Sequence, residues 1–250
     1  MSHITSCCPQ ETLPNESRRN WLKFGAGASL ALGATISMVP VSASAASLTQ
    51  EQRDAMTPDQ VIDMLRDGNT RFRNGDMHSH DFLAQKRATT TGQYPAAVIL
   101  SCIDSRAPGE IIFDTGIGDA FGARIAGNIS TPDLIGSMEF ACAVAGAKLV
   151  LVMGHTSCGA IAGAIDEVKL GNLTGLLQQI RPAVEATPYS GERNGSNPAF
   201  VNAVAHKNVV LTVENIRKHS SILSDLEKEG KLKIIGSMYD LSNGEVTFLS

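Results

Sequence analysis

The sequence predicts an α/β fold: a central sheet flanked by helices, with a helical arm ahead of it. Three observations carry that reading. Residues 96–101 and 148–153 are short, nearly unbroken apolar runs rich in β-branched residues (Val98-Ile99-Leu100 and Leu149-Val150-Leu151-Val152), the pattern of strands buried on both faces. A strand within 116–128, a helical pattern over 132–145 and the strand at 149–153 make a crossover unit, which should be right-handed. The turn Ser242-Asn243-Gly244-Glu245 leads into a last short strand, 246–249, that would return antiparallel.

The first 45 of the 250 residues read as an export signal and stand apart from the fold. Arg18-Arg19 precede a stretch rich in Gly and Ala from Phe24 to about Val41, and Ala43-Ser44-Ala45 has the small-x-small form of a signal-peptidase site. This resembles a twin-arginine signal, with Trp21 where Phe is commoner. Its Gly, Ala, Ser and Thr content makes it a poor permanent membrane anchor, so the mature chain is expected in a bacterial periplasm. The 205 residues that remain suit one domain with a sizeable core. The signal removes three basic residues (Arg18, Arg19, Lys23) and two acidic ones (Glu11, Glu16), leaving 18 basic against 23 acidic and a net charge of −5. That balance argues against nucleic acid as a partner, because phosphate binding needs a basic face.

Residues 46–95 read as the helical arm. Val61, Ile62, Leu65 and Phe72 share one face of a helix opened by Thr57-Pro58 and closed by Gly75, and a second helical piece covers about 81–89. Such an arm has little core of its own and should pack on the main body, 96–250, or on a partner subunit. Within the body, the helix over 132–145 starts at Thr131-Pro132 and stops at Gly146, and its Cys142 reads as core filling. Gly154 is expected to end the strand at 149–153. Helices should follow at about 160–169 and 173–186, then a loop over 187–197. A long helix over 199–218 buries the stripe Val201, Ala205, Val209, Thr212 and Ile216, and a strand covers 232–240.

Cys102 follows the first apolar strand, and His155 and Cys158 follow the second. If the two strands are parallel neighbours, the three side chains converge outside the strands' carboxyl ends, where open α/β sheets keep their ligands. Three N and S ligands with a fourth position open is the arrangement of a catalytic zinc site. Cys158 also lies near a helix start, whose dipole favours the thiolate a metal needs. Cys7 and Cys8 fall within the signal, so three cysteines remain, an awkward number in an oxidising compartment unless metal takes two. Asp104 and Arg106 flank the site on what reads as an extended segment, both on one side. Asp104 either ligates the metal or pairs with Arg106. A structural zinc site would be closed by four permanent ligands. Only a gated site needs a competing cation such as Arg106. A redox pair of Cys102 and Cys158 is the third reading, and it lacks a Cys-x-x-Cys. His78, His80, His206 and His219 read as surface residues.

Cys-x-Asp-x-Arg at 102–106 together with His-x-x-Cys-Gly at 155–159 resembles the β-class carbonic anhydrases. Gly68-Asn69-x-Arg71-Phe72, Gly118-Asp119-x-Phe121, Arg124-x-Ala126-Gly127-Asn128, Glu139 and Tyr239-Asp240 extend the match over most of 57–250. The resemblance implies a mostly parallel sheet, about four parallel strands plus one antiparallel edge strand. It also implies a homodimer or homotetramer with the active site near the subunit interface. Cys102, His155 and Cys158 match the zinc ligands, and Asp104 and Arg106 the gating pair. Gln93, Phe121, Phe140 and Gly159 fall where the family binds substrate, partly from the neighbouring subunit. Phe140 departs from the common Tyr. Ile99-Leu100-Ser101 lacks the Trp and Gly of members with a second, inhibitory bicarbonate site, so none is expected. The implied activity is zinc-dependent, reversible hydration of carbon dioxide to bicarbonate and a proton, climbing from neutral into mildly alkaline pH. Relatives with the same ligands hydrolyse carbon disulfide or carbonyl sulfide, and a non-catalytic zinc-binding homologue would also carry them.

Overall fold

The computed structural model describes residues 47–249, and the expected export signal over 1–45 lies outside them. The arm begins with α1 (Gln50–Ala55) and α2 (Pro58–Asn74). Each starts on a Thr-x-x-Gln capping box, Thr49 with Gln52 and Thr57 with Gln60, and Gly75 closes α2 in the left-handed conformation. Asp81 caps the short α3 (Phe82–Ala88). Strand β1 (Ala97–Ser101) follows, then α4 (Gly109–Ile112), β2 (Ala120–Arg124) and a tight turn over 126–128. Next come α5 (Pro132–Glu139), β3 (Leu149–His155), α6 (Gly159–Ile165), α7 (Gly171–Gln178) and α8 (Arg181–Ala186). The chain ends with α9 (Pro198–His219), α10 (Ser221–Lys228), β4 (Lys233–Tyr239) and β5 (Val246–Phe248).

The five strands lie in the order β2-β1-β3-β4-β5, four of them parallel and β5 antiparallel on β4. The fold expected from the apolar runs is therefore the fold observed. Side chains alternate across the sheet, so each run feeds two cores. Val98, Leu100, Val150, Val152 and Ile234 meet Met138, Val209, Val213, Ile216 and Leu223 on one face. Ala97, Ile99, Leu149, Leu151 and Met153 meet Val61, Ile62, Leu65, Ile112 and Phe113 on the other. The arm thus packs on the body through α2. Gly68 makes that approach possible, because a Cβ there would lie 1.9 Å from the Phe113 carbonyl oxygen. Asn69 completes the seam, donating to the Gly244 carbonyl at 2.9 Å and accepting from Val246 N–H at 2.9 Å.

The structure corrects several boundaries. Gly154 does not end β3: the ladder runs on through Gly154↔Met238 and His155↔Tyr239. Glycine is required inside the strand because a Cβ would meet Val209 at 2.5 Å. The helix expected over 132–145 widens into a π-turn from Phe140 to Val144. The helix expected over 173–186 is two, α7 and α8, since Pro182 has no N–H to continue it. The one over 160–169 stops at Ile165, and Glu167 adopts a left-handed φ of 55°. Helices α1, α4 and α10 were not expected as separate elements. No helix among the described residues is long and apolar enough to cross a membrane.

Candidate active site

Cys102 leaves the carboxyl end of β1, His155 is the last residue of β3 beside it, and Cys158 caps α6 one turn later. Register alone thus brings the three together, with ligand atoms all within 4.8 Å of one another and every side chain buried. The sulfurs of Cys102 and Cys158 lie 3.9 Å apart, and the cysteines are not bonded to each other. Tetrahedral zinc–sulfur bonds of ~2.3 Å would hold two thiolates ~3.8 Å apart. His155 Nδ1–H donates to the Thr156 carbonyl at 2.9 Å, which leaves the lone pair on Nε2. That Nε2 is buried with no hydrogen-bond partner, in a residue only 1 % exposed. A buried nitrogen without a partner, facing two sulfurs at metal-bridging distance, fits a bound zinc ion.

The electrostatics agree. Cys102 is pulled well below the ordinary thiol value, chiefly because Cys158 donates to it. Burial opposes this, while the Gly127 N–H, 3.3 Å from the sulfur, assists. Cys158 is pushed up by donating to Cys102 and by burial, so the two sulfurs share a proton that a cation would displace. Burial alone raises the Cys142 thiol, to about 12, in keeping with its expected place as core filling.

Asp104 is not among the converging ligands. Its carboxylate accepts from Arg106 Nε at 2.9 Å, from Nη2 at 2.8 Å and from the Arg106 backbone N–H at 2.9 Å. These bonds hold its pKa well below the usual carboxylate range. The segment is a turn rather than the extended stretch expected, since Ala107 N–H bonds the Asp104 carbonyl. Asp104 Oδ2 still points inward, 3.8 Å from His155 Nε2. Arg124, at the end of β2, anchors this turn by donating to the carbonyls of Cys102 and Asp104. Its role was not expected from sequence, although a basic residue ending an edge strand beside a ligand turn is a usable signal.

The four substrate-contact candidates divide. Gly159 is beside Cys158 with open space above it. Phe121 pairs with Val98, four residues and so ~13 Å of strand from Cys102. Phe140 packs on Phe121 at 6.2 Å between ring centroids and is half exposed, and Gln93 is exposed ahead of β1. Phe121 and Phe140 thus meet toward the amino end of β1 and β2, and Gln93 precedes β1 at that same end, away from their own chain's sulfurs. His80, expected at the surface, instead bonds buried Asp114 at 3.0 Å, alongside Arg71 at 2.6 Å.

The sequence profile of the carbonic anhydrase family matches residues 97–246. The chain belongs to the carbonic anhydrase family. It is similar to carbonic anhydrase 2 of Mycobacterium tuberculosis, 36% identical over 184 residues covering 72% of this chain and 87% of that one. A carbonic anhydrase of Mycolicibacterium smegmatis is 32% identical over 188 residues, covering 74% and 90%. Among solved structures, a β-carbonic anhydrase of Aspergillus fumigatus superposes with a TM-score of 0.61 at 25% identity, covering 77% of this chain and 90% of that one. The β class is thus the branch of the family that this α/β sheet shares.

Proposed function

We propose that this chain is a zinc-dependent carbonic anhydrase that interconverts carbon dioxide and bicarbonate. The observation that carries the metal assignment is the unpartnered Nε2 of His155 facing the two sulfurs. Cys102, His155 and Cys158 would hold the zinc, which would supply a Lewis acid able to activate water between neutral and mildly alkaline pH. The chain's own residues do the rest. The Thr156 carbonyl fixes the imidazole tautomer, and Gly127 N–H steadies the Cys102 sulfur. Asp104, held by Arg106, stays ionised and accepts a hydrogen bond from the attacking water, orienting its lone pair toward carbon dioxide. Arg106 keeps that carboxylate from closing the site as a fourth ligand.

The same reading calls for a second copy of the chain. Gln93, Phe121 and Phe140 lie a strand's length from their own sulfurs, so a partner must present them to Cys102 if they line the pocket. There the two rings would keep the pocket apolar for an uncharged substrate, and Gln93 would donate to a bicarbonate oxygen. Export through the twin-arginine route, implied by Arg18-Arg19 and Ala43-Ser44-Ala45, would deliver the folded, metal-filled enzyme to the periplasm. The test is metal analysis with stopped-flow carbon dioxide hydration on residues 46–250, repeated with Asp104→Ala. Stoichiometric zinc with fast hydration is expected, and protein equally active without metal would refute the proposal. Arg18→Lys with Arg19→Lys should retain the chain in the cytoplasm, and unchanged export would refute that part.

A further inference from the structure

Helix α9 carries three asparagines that reach backbone or side-chain groups of the turns around the metal site. Asn202 Oδ1 accepts from Ser157 N–H at 2.9 Å, in the turn between His155 and Cys158, where Ser157 has a left-handed φ of 53°. Asn208 Nδ2 donates to the Gly127 carbonyl at 2.8 Å, and Gly127 N–H in turn donates to the Cys102 sulfur. Asn215 Nδ2 bonds the Ser130 hydroxyl at 2.7 Å, in a segment with no hydrogen bond to a ligand. Asn208 is the anomaly among them. It is buried within the apolar stripe between Ala205 and Val209, where an amide is retained only if it is bonded.

Resting on the metal reading above, we infer that Asn208, assisted by Asn202, is a positioning residue for the metal ligands. Asn208 holds the turn that steadies the Cys102 sulfur. Asn202 holds the turn that spaces His155 from Cys158. The two ligand turns belong to different strands, and α9 is the rigid element that ties them to each other. Gly127 has little freedom to find this position unaided. Its φ is +71°, and a Cβ there would meet Ile180 at 2.6 Å and Ala160, two residues past Cys158, at 3.5 Å. The asparagines therefore set sulfur placement from outside the ligand shell, the manner in which outer partners of metal ligands tune affinity.

The test is cobalt(II) affinity by chelator competition, with the energy of the sulfur-to-cobalt charge-transfer band as a second readout. Asn208→Leu, of similar size but without the donor, is expected to weaken binding about 10- to 100-fold and to shift the band. Asn202→Ala should weaken it about tenfold, while Asn215→Ala should stay within about threefold of wild type. A folded Asn208→Leu protein with wild-type affinity and spectrum would overturn the inference. So would an Asn215→Ala loss as large as that of Asn208→Leu, which would mean general loosening of α9. Should Asn208→Leu fail to fold, Asn202→Ala decides, and unchanged affinity there overturns it equally. Wild-type protein that takes up no cobalt would remove the metal reading and this inference together, whereas binding that is indifferent to the asparagines removes the inference alone.

Discussion

Replacing Gly127 by alanine puts the geometry of the sulfur site to a quantitative test. Residue 127 sits at φ +71°, where an L side chain costs about 1–2 kcal/mol. The new Cβ would lie 2.6 Å from Ile180 Cδ1 and 3.5 Å from Ala160 Cβ. Ile180 is fully buried, so its terminal methyl has little room to yield, and such overpacking costs about 1–3 kcal/mol. The sum is about 2–5 kcal/mol, a large share of the roughly 5–15 kcal/mol that holds a domain folded. The easiest relief moves the turn off Ile180 and carries Gly127 N–H away from Cys102, so metal affinity should fall with stability. Urea unfolding at fixed protein concentration measures the first, and chelator competition the second. Gly136→Ala is the control: no atom lies within 4 Å of its Cβ, and alanine inside a helix should add about 0.5–1 kcal/mol. A Gly127→Ala protein within about 1 kcal/mol of wild type would refute the packing argument.

Cys102→Ser, His155→Ala and Cys158→Ser should each lose bound metal and hydration activity together, as measured by elemental analysis and stopped flow. Asp104→Ala should instead keep its metal and lose about 10- to 100-fold in turnover, and equal loss of metal would argue against an orienting role. Asp114→Asn should cost about 3 kcal/mol, because it leaves Arg71 short of a fully buried partner. Burial raises the Asp114 pKa, but hydrogen bonds from Arg71, the His78 N–H and His80 outweigh it and leave the carboxyl depressed. A depressed folded-state pKa stabilises fully above the unfolded value of about 3.9 and is lost as pH falls below it. The gap between Asp114→Asn and wild type in urea midpoint should therefore be constant near neutrality and narrow below about pH 4.

Much of this was legible because two strands needed no help from their neighbours to be recognised. Leu149–Met153 and Ala97–Leu100 are apolar without interruption, so both strands, and hence the neighbourhood of the three ligand candidates, could be placed from sequence, although β3 runs two residues further than its apolar run. The Asp104–Arg106 pair was legible for the same local reason, although the turn that joins them was not. What sequence hid depends on partners distant in the chain. Gly154 looked like a terminator because the strand beside it, Lys233–Tyr239, lies some eighty residues on. Asn208 carries no signal in the sequence, because its acceptor, the Gly127 carbonyl, lies 81 residues earlier. Gln93, Phe121 and Phe140 illustrate the stronger limit: the two phenylalanines meet each other in a single chain, and none of the three reaches the sulfurs, so one sequence names them without bringing them to the site.

His155 differs from the two cysteines in what holds it. Its backbone belongs to the β3–β4 ladder opposite Tyr239, whereas Cys102 and Cys158 lie just past strand ends. Opening the sulfur turns therefore requires only local fraying, while releasing the imidazole also requires breaking the last pair of the β3–β4 ladder, His155↔Tyr239. Under gentle heating the amides of Gly127 and Ser157 should exchange with solvent well before the sheet does. The centre would come apart sulfur by sulfur, leaving the histidine as the last fixed post.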